Sequence, residues 1–174
     1  MEERTGITSH ALALPSCGET SADEAPGGLI ADAAALRRAL DQVDDAIVVG
    51  HSYGGTVIAE AGHHPAVAHL LYVSSYLPDV GQAQGAILSG EPDPVAVAMV
   101  GDGAVASFGT PTTAAGWQGV DSTYLVCGED RSTSLEVQRF HAARAQRSVT
   151  LPAGHHPFIS RPDLVLAELE ALLG

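Results

Sequence analysis

The chain has no lysine: all eight of its basic residues are arginine, and 21 acidic residues bring the net charge to −13. So acidic a surface argues against nucleic acid and anionic membranes as partners. Cysteine is scarce as well. Cys17 and Cys127 are too few and too far apart for a disulfide framework or a zinc-ligand spacing, so a reduced, cytoplasmic protein is expected. No apolar run approaches the length of a membrane span. The opening Met1-Glu2-Glu3-Arg4-Thr5-Gly6 lacks the basic start and apolar core of a signal peptide. What remains is a chain of 174 residues, 45% hydrophobic, which fits one domain with a substantial core.

The most informative stretch is Ala46–Gly62, A-I-V-V-G-H-S-Y-G-G-T-V-I-A-E-A-G. Ile47, Val48 and Val49 predict a short strand buried on both faces, and Thr56–Ala61 a buried helix. Between them Gly50-His51-Ser52-Tyr53-Gly54 matches G-x-S-x-G, the turn that lifts a nucleophilic serine over the carboxyl end of a strand. Gly50 and Gly54 are expected to supply clearance where strand and helix nearly touch, and Gly55 to let the helix approach the sheet. The backbone N–H of Tyr53, at the helix start, is a candidate oxyanion donor.

Elsewhere the pattern predicts alternating strands and helices. Gly6–Leu14 reads as a first strand, and Leu29, Ala33, Leu36, Leu40 and Val43 as one face of a helix. Further strands are expected at Leu70–Val73, Thr123–Cys127 and Ser148–Leu151. Thr133-Ser134-Leu135-Glu136 fits a capping box ahead of a helix bearing Leu135, Phe140 and Ala143, and a last amphipathic helix runs from Pro162 to Leu173. The expectation is a five-stranded, mainly parallel α/β sheet with helices on both faces. A loop-rich insertion at about 80–120, with one helix near Pro94–Val100, reads as a short lid; Met99, Phe108 and Trp117 give it apolar matter for a pocket.

Ser52, Asp130 and His155 each fall just past a predicted strand, so a parallel sheet gathers them along one edge. Their order, serine, acid, histidine, is that of α/β-hydrolases. Ser52 is the candidate nucleophile, His155 the base and Asp130 the acid that fixes its tautomer. Glu129 competes for the acid role and His156 for the base. His51, Tyr53 and Tyr76 also lie where a pocket wall is expected. The histidine pairs at 63, 64 and at 155, 156 suggest zinc, but neighbours in sequence point apart and no acid has ligand spacing, so no metal is expected.

V-V-G-H-S-Y-G-G-T-V-I, L-Y-V-S-S-Y-L-P-D-V-G-Q, S-T-Y-L-V-C-G-E-D-R and G-H-H-P-F-I-S-R-P together resemble α/β-hydrolases, and more narrowly the small esterase branch containing plant methyl esterases and hydroxynitrile lyases. The resemblance implies cofactor-free hydrolysis of a small carboxylic ester by Ser52, Asp130 and His155. It also implies an earlier strand ending in a His-Gly loop that lends a second oxyanion donor. No such loop precedes Gly6, so the chain reads as an N-terminally truncated version of that fold with half an oxyanion hole. A bare sheet edge would follow, and with it a possible homodimer. A catalytically weak or inert protein that binds a small apolar ligand is the competing expectation. Cyanohydrin cleavage, which in that branch tends to need a pocket lysine, is disfavoured in a chain without one.

Overall fold

The structure, a computed structural model, describes residues 8–17, 28–87 and 107–174. Its elements in chain order are α1 (Gly28–Leu40), β1 (Ala46–His51), α2 (Tyr53–Ala61), β2 (Val67–Val73) and α3 (Gln84–Ile87). A 3₁₀ turn follows at Gly116–Gln118, then β3 (Ser122–Cys127), α4 (Leu135–Ala142), β4 (Arg147–Leu151), α5 (Pro157–Ser160) and α6 (Pro162–Leu172). The strands form one parallel sheet in the order β1-β2-β3-β4.

Side chains alternate across that sheet and fill two separate cores. Val48, Leu70, Tyr72, Tyr124 and Val126 point to one face, where Leu29, Ala33, Leu36 and Leu40 of α1 and Val57, Ile58 and Ala61 of α2 cover them. Leu71, Val73, Leu125, Cys127 and Leu151 point to the other and meet Val165 of α6, with Leu164, Leu169 and Leu172 packed alongside. Both faces of the inner strands are therefore dry, which is why those strands read as continuous β-branched and apolar runs.

Several expectations need correction. Of the strand expected at Gly6–Leu14, the described residues 8–14 carry no strand, and all but Leu14 among them are exposed. A strand needs a neighbour to take its hydrogen bonds, and among the described residues β1 pairs with β2 alone. The described sheet has four strands rather than five, and β1, which leads to Ser52, lies at its edge with Val49 46% exposed. In α4 the cap is Ser134, which accepts from the Val137 N–H at 3.3 Å, rather than Thr133. Its inward face is Gln138, His141 and Ala142, while Phe140 is exposed beneath the Arg144 guanidinium. Val43 lies beyond α1 and is exposed. The helix expected at Pro94–Val100, with Met99, lies outside the described residues.

Where the segment at 80–120 leaves and rejoins the sheet, its ends are tied together. The Gly81 N–H donates to Thr112 O at 2.8 Å, the Thr112 N–H to Gln82 O at 3.1 Å, and Thr112 Oγ1 to Asp79 O at 2.7 Å. The returning end is also fixed to α2 by Glu60. That buried carboxylate accepts from the N–H groups of Thr113 at 2.7 Å and Ala114 at 3.1 Å and from the Thr113 hydroxyl at 2.5 Å. Arg37 of α1 stands 3.7 Å from it.

Candidate active site

The turn between β1 and α2 is as tight as its sequence requires. Ser52 sits at φ 50°, ψ −121°, a conformation costly for any residue with a Cβ. A Cβ on Gly50 would meet the Gly54 carbonyl oxygen at 2.7 Å, so strand and helix do nearly touch there. Gly54 is different from expectation, because a Cβ at that position would meet nothing within 4 Å. The second obligatory glycine is Gly55, where a Cβ would fall 1.8 Å from Ser75 Oγ and 2.7 Å from the Tyr76 carbonyl oxygen. The close approach is thus between α2 and the end of β2.

Ser52 is held through its backbone. Its N–H donates to Val73 O at 3.2 Å, and its carbonyl accepts from the Ser75 hydroxyl at 2.5 Å. Tyr53 opens α2, so its N–H is one of the first-turn donors with no acceptor within the helix. The Tyr53 side chain leaves the site altogether: its hydroxyl donates to the buried Asp32 of α1 at 2.6 Å. Burial, with Asp32 adding to it, pushes that phenol well above its ordinary range.

Asp130 and His155 come together at the ends of β3 and β4. His155 Nδ1–H donates to Asp130 Oδ2 at 2.7 Å, which leaves Nε2 as the acceptor nitrogen. The Asp130 side chain is fully buried. Burial alone would raise its pKa, yet hydrogen bonds from His155, from the Ser74 hydroxyl and from the Ser132 N–H outweigh that and hold it below the usual carboxylate value. Its Oδ1 accepts from the Ser132 N–H at 2.7 Å and the Thr133 N–H at 3.0 Å. It is Asp130, not Glu129, that bonds the histidine. Gln138, buried in α4, braces this loop by donating to Cys127 O at 3.1 Å and Thr133 O at 2.9 Å.

His51, immediately before the serine, brings the two halves together. Its Nε2–H donates to His155 O at 2.7 Å, and the two rings lie 4.6 Å apart. Burial, reinforced by the nearby His155, lowers the His51 pKa to about 4, so it is a neutral donor at neutral pH. The base candidate and the nucleophile candidate are therefore linked through the residue next to Ser52. His156 stands against both rings, 4.9 Å from His155 and 5.0 Å from His51. One ring nitrogen from each of the three lies within 4.8 Å of the others, a cluster that the spacing of residues 63, 64, 155 and 156 did not foretell.

The other pocket candidates occupy packed positions. Tyr76 is buried, its ring 5.4 Å from that of His141. Phe108 lies 5.4 Å from the Tyr53 ring, on the α1/α2 side of the sheet. Trp117 donates from Nε1 to Pro78 O at 2.9 Å with the Arg144 guanidinium over its ring, and so holds the returning end of the 80–120 segment. A shallow depression beside His155 is lined instead by Glu129, Arg131, Ser132 and Gly154. Residues that sequence reasoning missed are Ser74, Gln138, Glu60 and Asp32. The only signal for Ser74 was its place at the carboxyl end of β2.

Known proteins share this architecture. The alpha/beta hydrolase nvfD of Aspergillus novofumigatus is 26% identical over 193 residues, covering 82% of this chain and 77% of the relative. The solved structure of the pyrethroid hydrolase PytH matches with a TM-score of 0.81 at 21% identity, over 98% of this chain and 88% of that one. The methylesterase MES16 of Arabidopsis matches with a TM-score of 0.72 at 16% identity, over 98% and 89%. At those identities the two structures establish the α/β-hydrolase fold. The family model described as the alpha/beta hydrolase family matches residues 2–99 and 83–168, and by that match, with the fold and the serine turn in agreement, the chain belongs to the alpha/beta hydrolase family.

Proposed function

We propose that the chain is a serine hydrolase that cleaves small carboxylic esters through an acyl-enzyme. Ser52 is the nucleophile, His155 the general base and then acid, and Asp130 the group that fixes the imidazole. The observation that carries this reading is the bond from His155 Nδ1 to a fully buried Asp130, with His51 connecting His155 to the strained turn at Ser52. Ser52 Oγ attacks the ester carbonyl while its proton passes to His155 Nε2. The Tyr53 N–H stabilises the developing oxyanion, and collapse expels the alcohol with the proton from His155. Water then attacks the acyl carbon as it gives a proton to the same nitrogen, and collapse breaks the bond to Ser52 Oγ, which takes that proton back from His155 as the acid leaves. No step needs a cofactor. The names of the solved relatives, a pyrethroid hydrolase and a methylesterase, support an ester as the substrate class.

The same reading takes the segment at about 80–120 as a short lid on a single domain, the protein as cytoplasmic, and a small ester rather than nucleic acid or membrane as its partner. The place of β1 at the edge of the described sheet supports a homodimer. A fluorophosphonate probe tests the chemistry. The expected result is one adduct on Ser52, absent in His155→Ala, and loss of aryl-ester turnover by about 10⁴-fold or more in Ser52→Ala. A folded protein that forms no adduct overturns the proposal.

One observation favours a second reading, a weakly active or inert protein that binds a small apolar ligand. The serine strand has no described partner on its outer side, where the resemblance would put the second oxyanion donor. A site working with one such donor in place of two is slower by on the order of 10²- to 10³-fold. Saturable ligand binding without acylation of Ser52 would support it.

A further inference from the structure

We propose that His51, His155 and His156 form a binding site for one divalent transition-metal ion, and that an ion held there takes the acceptor nitrogen of His155 out of use. One ring nitrogen of each residue lies within 4.8 Å of the other two, and the three rings stand 4.6, 4.9 and 5.0 Å apart in pairs. Three imidazoles around one tetrahedral ion have nitrogens about 3.3 Å apart, with bonds of about 2.0–2.1 Å. The nitrogens must draw together to reach that spacing, and His156 is the exposed member of the three. Imidazole donors alone select Zn²⁺, Cu²⁺ or Ni²⁺ over Mg²⁺ and Ca²⁺.

In two of the three histidines one ring nitrogen is already paired, which leaves the other as the acceptor. His155 donates Nδ1–H to Asp130 at 2.7 Å, and His51 donates Nε2–H to His155 O at 2.7 Å. A carboxylate or carbonyl on the second nitrogen fixes the tautomer and raises the basicity of the first. Phe158 closes one side of the group, its ring 4.9 Å from that of His51. The net charge of −13 concentrates cations around the chain. Coordination uses the lone pair of His155 Nε2, the same pair that would accept the Ser52 proton. Occupancy and hydrolysis are then mutually exclusive. That last consequence rests on the function proposed above, whereas binding itself does not.

Calorimetry of the full chain with Zn²⁺, repeated with Cu²⁺, is the test. The expected result is one equivalent bound, at least tenfold weaker binding in His156→Ala and in His51→Phe, and unchanged binding in His63→Ala. Zn²⁺ should inhibit ester turnover over the range in which it binds, and His156→Ala should shift both together by the same factor. No stoichiometric binding, or binding equally tight in His156→Ala and His51→Phe, overturns the site. Binding without inhibition would overturn the assignment of His155 Nε2 as a ligand. A chain that binds the ion but never turns over ester would leave the site standing and tell against the hydrolase reading instead.

Discussion

Ser74 Oγ donates to Asp130 Oδ2, the same carboxylate oxygen that accepts from His155 Nδ1–H. Ser74 is, with Ser52, one of the two non-glycine described residues at positive φ, here 42°, and its N–H is fixed to Leu125 O at 3.0 Å. The end of β2 is thus bent to aim a hydroxyl at a carboxylate on the end of β3. A hydrogen bond to a charged group contributes about 1.5–3 kcal/mol, so Ser74→Ala is expected to lower kcat by roughly 10- to 100-fold. The Asp130 pKa should rise in that variant, because a bond that favours its ionised form has gone. Steady-state rates against pH check both: the acid limb moves to higher pH if Ser74 acts through Asp130, and stays in place if its role is only packing.

The two glycines after the serine turn should respond in opposite ways. Gly55→Ala puts a methyl 1.8 Å from Ser75 Oγ and 2.7 Å from the Tyr76 carbonyl oxygen. Helix and strand end would have to separate, at a cost of about 1–3 kcal/mol or more. Gly54→Ala places its methyl in open space within α2, where alanine is about 1 kcal/mol better than glycine. Urea unfolding of both variants decides the matter. Equal destabilisation would refute the assignment of the close contact to Gly55.

Glu60 joins α2 to the returning end of the 80–120 segment through three hydrogen bonds. Glu60→Gln keeps the shape but replaces one acceptor oxygen by a donor, leaving a buried group mispaired. The expected loss of stability is about 1–3 kcal/mol. Amide exchange at Thr113 and Ala114 should quicken more than exchange in β3, whereas a uniform change across the chain would refute the anchoring role.

Stability is expected to fall as the pH drops from about 6.5 towards 4, and His141 is one identifiable cause. Burial, with the neighbouring Arg144 adding to it, depresses its pKa to about 4, although Nδ1 accepts from the Leu77 N–H at 3.0 Å. Its Nε2 is buried with no partner. Above pH 6.5 the ring is neutral in both folded and unfolded chains and protonation costs nothing. Below it the unfolded chain takes up a proton that the folded chain refuses, so stability declines by about 1.4 kcal/mol per pH unit until the folded pKa is reached. Asp130, with a depressed pKa, loses its contribution only at more acidic pH, below the ordinary carboxylate value. His141→Gln keeps an acceptor for Leu77 without a titrating group, and its unfolding free energy should fall less steeply by about one proton between pH 6 and 4.5. An unchanged slope would show that His141 is not the group responsible.

The serine turn was legible in the sequence because local chemistry dictates it. A β-branched run, a glycine that must lack a Cβ and a run of small residues specify strand, turn and helix without outside help, as Gly50 and Ser52 show. Asp130 and His155 were legible because parallel strands bring their carboxyl ends to one edge, whatever the loops between them do. Helix α1 followed from a single apolar stripe, which holds from Leu29 to Leu40.

What only the tertiary structure decided is which neighbours those residues meet. Gly6–Leu14 has the composition of a strand, but a strand exists only where another offers hydrogen bonds, and sequence does not list partners. The sequence motif asks for Gly54 as clearance at the turn and Gly55 for the approach of helix to sheet; the positions of Ser75 and Tyr76, farther along the chain, make Gly55 obligatory and leave Gly54 replaceable. Ser74, Glu60 and Gln138 look like ordinary polar residues until burial forces each to find a partner, because an unpaired polar group away from water is costly. Tyr53, Phe108 and Trp117 are apolar enough to line a pocket, and it is the fold that decides their partners, through hydrogen bonds to Asp32 and Pro78 and ring packing. The grouping of His51 with His155 and His156 likewise exists only because the ends of β1 and β4 lie along the same edge of one sheet. Residue type and local spacing determine which groups are available, and long-range packing determines which of them meet.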